Sequence, residues 1–213
     1  MDTRPTTSGR DPRRCCGDDG AVIVEFALVL PFLVLLLFGV VDYGLAWRND
    51  SILAAALRSG VRAGSQAQNA STADLLALQA FTGVIGQGKR LTIQKVVIYK
   101  VTAANTTGAV PPECLTAGAL TAGGYTSSSV FCNVYSPSKL TGANLVAANF
   151  GGTTGKYDTF YPPTTRSNSL AGTGPDGFGM YAAVTYTSLT KIIPGTTMTL
   201  TDSSTGRLEP SAI

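Results

Sequence analysis

The 213-residue chain has no histidine. That absence removes the side chain that most often moves protons near neutral pH, and with it Ser-His-Asp and Cys-His arrangements and any histidine-ligated metal. Charge is scarce too. Sixteen Lys and Arg against thirteen Asp and Glu leave a net charge of +3, and no basic run interleaves with aromatics, so nucleic acid is not an expected partner. Asp74, Glu113, Asp158, Asp176, Asp202 and Glu209 are too dispersed to mark a paired-carboxylate site. Gly172-x-Gly174-x-x-Gly177 echoes a phosphate-binding loop, but no strand precedes it and a strand, not a helix, should follow. This inventory predicts no catalysis, no cofactor, no metal and no small-molecule substrate.

Cysteines are few and fall into two unlike pairs. Cys15 and Cys16 lie among Arg13, Arg14, Asp18 and Asp19, where reduced thiols on a disposable leader are expected and acylation beside a membrane is the alternative. Cys114 and Cys132 lie in a Ser/Thr/Gly-rich region. A disulfide closing a loop of about 18 residues is expected there if that side of the membrane is oxidising, with free thiols as the alternative.

What the sequence has in abundance is one apolar run, GAVIVEFALVLPFLVLLLFGVVDYG, from Gly20 to Gly44. Between Ala21 and Val41 the only ionisable side chain is Glu25. As a helix rising about 1.5 Å per residue, that segment covers roughly 31 Å, the thickness of a bilayer's hydrocarbon core. A carboxylate in such a segment costs on the order of a few kcal/mol, less toward the edge. Glu25 therefore either reaches back to the headgroups or has a partner. Pro31 removes the amide that would bond to the Ala27 carbonyl, a defect that membrane helices tolerate. Gly39 and Gly44 either allow close helix approach or simply reflect the glycine content of membrane helices.

Arginines and acids precede Gly20, four apolar or small residues follow it, and then comes Glu25. This arrangement resembles the processing site of type IV prepilins and pseudopilins. The resemblance implies a cut by a prepilin peptidase between Gly20 and Ala21, leaving the glutamate fifth in the mature chain. It also implies that the new Ala21 amine pairs with the Glu25 carboxylate of a neighbouring subunit and sets the stagger of packed helices. Prepilins often carry Phe after the cut where this chain has Ala21, which leaves N-methylation open. Glu25-Phe26-Ala27, Pro31, Gly39, Asp42-Tyr43-Gly44, the RSGVRAGS helix tail and the Arg207-Leu208-Glu209-Pro210 ending narrow the resemblance to the TadE-like family. Those are small pseudopilins of the tight-adherence (Tad or Flp, type IVc) pilus.

Taken in order, Met1 to Asp19 has no periodic apolar pattern and reads as a disordered leader. The helix is expected to continue to about Gly64, with Leu45, Ile52, Leu53, Ala56, Leu57, Gly60 and Val61 near helical spacing and Arg48, Arg58 and Arg62 on the polar face. Ser71 to Asp74 reads as a capping box for a second helix with an apolar face from Leu75 through Phe81, ended by Gly83. Leu91 to Val101 has the β-branched content of a strand with Thr92, Gln94 and Lys100 outward. From Thr102 to Pro175 the pattern weakens, and short strands are expected at Ser129 to Tyr135 and around Lys156 to Tyr161. Asn105-Thr106-Thr107 fits a glycosylation acceptor by chance. Pro175-Asp176-Gly177 turns into a strand from Phe178 to Leu189, and Pro194-Gly195 turns into a return strand from Thr196 to Thr201, an antiparallel hairpin.

The expected architecture is α+β and single-pass: a long N-terminal transmembrane and amphipathic helix packed on a small antiparallel sheet, as in pilins. Its parts are a leader at 1–20, a span at 21–41, a helix extension at 42–68 and an extracytoplasmic β-rich domain at 69–213. Arg10, Arg13 and Arg14 before the span against Arg48 after it favour the N terminus inside a bacterial cytoplasmic membrane. Two functions fit. One is a cleaved pseudopilin that packs in lipid against other Tad pilins and helps assemble a pilus; the other is a bitopic envelope protein whose outer domain binds a ligand or polymer.

Overall fold

The structure is a computed structural model, and it describes residues 19–102, 108–172, 174–189 and 197–210. Most of the leader with Cys15 and Cys16, the Asn105-Thr106-Thr107 sequon and the Pro194-Gly195 turn lie outside the described residues.

Helix α1 runs unbroken from Asp19 to Gln66, passing through Pro31. Its lower part is bare: Val22 to Val41 carries a continuous set of exposed Val, Leu, Ile and Phe side chains. Its upper part is buried, with Leu53, Ala56, Leu57 and Val61 in the core. This is the one helix among the described residues long and apolar enough to cross a membrane, and its most apolar window touches nothing in the domain.

Helix α2, Ala73–Ile85, packs beside the upper part of α1 and buries Leu75, Leu78, Phe81 and Ile85. The capping box does not form. Thr72 is the N-cap and makes no side-chain cap bond, and Asp74 turns inward instead of reaching back along the backbone. Gly83 does not end the helix, which runs on to Ile85 and stops at Gly86. A mid-helix glycine costs about 1 kcal/mol against alanine, and burying the Ile85 side chain is worth about 1.5–3 kcal/mol; the burial wins.

Five strands form one antiparallel sheet. These are β1 (Leu91–Val101), β2 (Gly124–Thr126), β3 (Phe131–Tyr135), β4 (Gly177–Thr187) and β5 (Thr197–Arg207), in the spatial order β2-β3-β1-β4-β5. The β4–β5 hairpin pairs from Gly177 with Arg207 to Thr187 with Thr197, so the return strand is six residues longer at its C-terminal end than the apolar pattern to Thr201 suggested. Polar Ser and Thr hide strand character from a pattern search, although threonine itself suits a strand. Strand β3 begins at Phe131, not Ser129, and Lys156 to Tyr161 forms turns and bends in place of a strand.

The two faces of the sheet are covered differently. Val96, Ile98, Phe178, Met180, Ala182 and Val184 face the helices, in keeping with the alternation of β4. Close approach there rests on glycine: a Cβ on Gly64 of α1 would lie 2.5 Å from the Phe178 ring, and one on Gly60 would lie 2.7 Å from Met180 Sδ. The opposite face of β1 and β3 is capped by a short helix α3 (Ala117–Ala122) and the turn before it, over Val97, Tyr99 and Val134. A disulfide between Cys114 and Cys132 fastens this cap, with Cα atoms 6.2 Å apart. The Thr/Ser/Gly-rich region thus supplies β2, β3, the cap and a long wrap in which Leu140, Leu145, Phe150 and Tyr161 join the helix-side core.

Candidate functional site: an apolar stem and its junction with the sheet

The stem begins where processing is expected. Gly20 and Ala21 are exposed and lie in the first turn of α1, and nothing comes within 4 Å of a Cβ built on Gly20. Glu25 is exposed one turn further on, and no ion pair reaches it among the described residues. Its carboxylate therefore stands on an apolar surface with no ion-pair partner among the described residues. That is the arrangement in which a charge from another molecule has most effect.

At the upper end of the bare surface the stem is clasped. Asp42 is 4% exposed and accepts two hydrogen bonds from the end of β4: the Ser188 hydroxyl donates to Oδ2 at 2.7 Å and the Leu189 amide to Oδ1 at 2.9 Å. Seven residues on, the Asn49 amide donates to the Lys89 carbonyl at 3.1 Å, and Arg90 donates from its guanidinium to the Ser188 carbonyl at 2.8 Å. The acidic residue that closes the apolar run is a structural ligand for the sheet. Sequence reading recognised Asp42 only as part of a resemblance.

The top of the stem is held by the C-terminal tail. Leu208 is buried and its amide donates to the Asp176 carbonyl; the Glu209 amide donates to the Ser65 carbonyl at 3.1 Å, and the Gln68 side chain to the Pro210 carbonyl at 3.3 Å. The Arg-Leu-Glu-Pro ending therefore ties α1 to the outer strand β5.

Between these ties lies a buried polar cluster that sequence reading did not find. Arg166 Nη1 sits 2.6 Å from Asp74 Oδ1 with both side chains fully buried. Asp74 Oδ2 also accepts from Asn133 Nδ2 at 2.8 Å and from the Tyr135 hydroxyl at 2.7 Å. Asn133 and Arg166 both donate to the Tyr161 carbonyl, and the guanidinium lies 4.1 Å over the Tyr161 ring. Burial pushes the Tyr135 hydroxyl well above its ordinary pKa, and the Asp74 charge adds to it. Burial is the strongest single influence on Arg166 and would lower its pKa, but the charge and hydrogen bond of Asp74 together with Tyr161 and Tyr135 outweigh it and raise the pKa. Nearby Asp158 accepts from the amides of Gly151 and Gly152, yet burial still raises its pKa. Asp74, Asn133, Tyr135 and Arg166 bond to one another and to the Tyr161 carbonyl, so they act as a polar core binding α2, β3 and the wrap together.

At the sheet's far end an open cleft is lined by Lys100, Asp176 and Arg207, and the Lys100–Asp176 ion pair at 2.8 Å occupies its wall. Among the described residues no three of His, Cys, Asp and Glu gather in a way that could hold a metal ion.

No curated protein and no solved structure matches the chain. Residues 20–62 match the family model described as TadE-like protein, which covers the bare stem, Asp42 and the packed half of α1 up to Arg62, while the clasp partners Ser188 and Leu189 lie outside the match.

Proposed function

We propose that this chain is a membrane-anchored, Tad pilus-associated pseudopilin. Its stem would cross the bacterial cytoplasmic membrane with the N terminus inside and the sheet domain outside, after a prepilin peptidase has cut between Gly20 and Ala21. The observation that carries this reading is the TadE-like match lying over a helix whose apolar half is wholly exposed. Assembly then exchanges lipid contacts for contacts with the stems of other Tad pilins, which needs little net apolar transfer and leaves packing and charge to choose the register. Glu25 is the charge that would choose it, by pairing with an Ala21 amine. No catalytic role is proposed.

N-terminal sequencing of the mature protein tests this. A start at Ala21, lost when Gly20 is replaced, supports the pseudopilin; retention of Met1 in working cells refutes it.

The second reading is an anchored envelope protein that binds a polymer. What favours it is a column of exposed hydroxyls on β5, at Thr197, Thr199, Thr201, Ser203 and Thr205. The same sequencing experiment separates the two, since this reading needs no cut at Gly20.

A further inference from the structure

The end of the sheet that meets the stem carries exposed aromatic, apolar and cationic groups. The Asp42 clasp fixes the end of β4 one residue above the apolar run, at the level where the stem leaves hydrocarbon. Around that level, Tyr43 and Trp47 project one helical turn apart and are 66% and 68% exposed. Leu189 and Met198, at the adjoining ends of β4 and β5, are 47% and 51% exposed. Aromatic rings with a polar edge favour the headgroup layer of a bilayer over both water and hydrocarbon.

Cations stand just above. Arg48 is exposed on α1, and Lys89 is exposed on the turn leading into β1. That turn is fixed, because the Lys89 carbonyl accepts from Asn49 and Arg90 is bound to the Ser188 carbonyl. Asn49 lies about 10 Å above Asp42 along the helix; with a headgroup layer of about 5–7 Å on each side of the hydrocarbon, that level is within the physiological Debye length of about 8 Å from the phosphates. On the acidic side, Asp42 is buried in the clasp, and Asp50 is exposed two residues past Arg48, which on a helix sets the two side chains on different sides.

We propose that the stem end of the sheet is a second membrane contact. Leu189 and Met198 enter the headgroup layer, Trp47 and Tyr43 sit in its aromatic belt, and Lys89 and Arg48 face the phosphates of anionic phospholipid. The domain then rests on the bilayer in one orientation instead of standing free on its stem. This rests on the reading of the stem as a membrane anchor, and continuity with that anchor is what identifies the occupant as lipid.

The test uses the full chain in vesicles of equimolar phosphatidylcholine and phosphatidylglycerol, and in phosphatidylcholine alone. Trp47 is the only tryptophan, so Trp47→Phe combined with Met198→Trp, or with Leu189→Trp as an independent reporter, reads contact by the sheet end through quenching by lipids brominated near the carbonyl. Quenching is expected in the anionic vesicles. Lys89→Gln and Arg48→Gln should each lower the docking equilibrium roughly fivefold, the equivalent of about 1 kcal/mol per cation. Reporters that stay unquenched in protein that resists alkaline carbonate extraction overturn the contact and leave the anchor standing. Equal quenching in both vesicle types, unmoved by the two variants, overturns the anionic-lipid assignment. Release of the protein by carbonate overturns the anchor and the contact with it.

Discussion

Asp42 and Ser188 are 146 residues apart in the chain and 2.7 Å apart in the fold. A carboxylate in the first polar position after the apolar run thus fastens the sheet to the stem at one height. The bond from Ser188 is buried, so its loss leaves a buried polar group without a partner, whereas the bond from the Leu189 amide is only partly buried.

Asp42→Ala should lower stability by about 1.5–3 kcal/mol, the range for hydrogen bonds to a charged group. Thermal unfolding of the detergent-solubilised protein measures it. Faster amide exchange at the end of β4, with β1 unchanged, would localise the loss to the clasp.

Arg166→Ala should cost roughly 3–5 kcal/mol, because it strands a buried Asp74 charge. Adding Asp74→Asn to it should recover part of the loss, so that the double variant is more stable than the sum of the singles predicts. Strict additivity in a double-mutant cycle would mean that the pair acts through packing alone.

Asp158 sets a pH dependence of known sign. Its folded pKa is raised by burial above the ordinary 3.8, so between 3.8 and that raised value the native state binds more protons than the unfolded chain. Its contribution is fully present below pH 3.8 and is lost as pH rises through the folded pKa. The stability of the native protein minus that of Asp158→Asn should therefore fall with rising pH across this window and then level off. A rising difference would show that the amides of Gly151 and Gly152 outweigh burial.

Glu25→Gln should leave membrane insertion and the cut after Gly20 intact while reducing the amount of this subunit in sheared pili. Normal incorporation of the variant would remove Glu25 from any role in setting register.

Local regularities made much of this fold legible. Leu91 to Val101 forms β1 at those bounds because β-branched residues repeat there, α1 follows from a long apolar run, and β4 and β5 pair as an antiparallel hairpin. The polar core was not legible. Asp74 fits a helix-capping pattern, and only the arrival of Arg166 from a Pro/Thr/Ser stretch 92 residues away turns it inward. Asn133 and Tyr135 look like ordinary strand residues until Asp74 is placed beside them. Cross-chain polar partners have no period, so a search for periodicity misses them. The same holds for Asp42, whose acidity is visible in the sequence while its acceptor role depends on Ser188.

The C-terminal end of β5 and the residues after it meet one of the first-made elements: Glu209 binds Ser65, and Gly206 lies against Val61. During synthesis, then, the greasy upper flank of α1 is born long before the strand that shields it. Until β5 has been made, α1 stays uncovered on the side that Gly206 and Glu209 close.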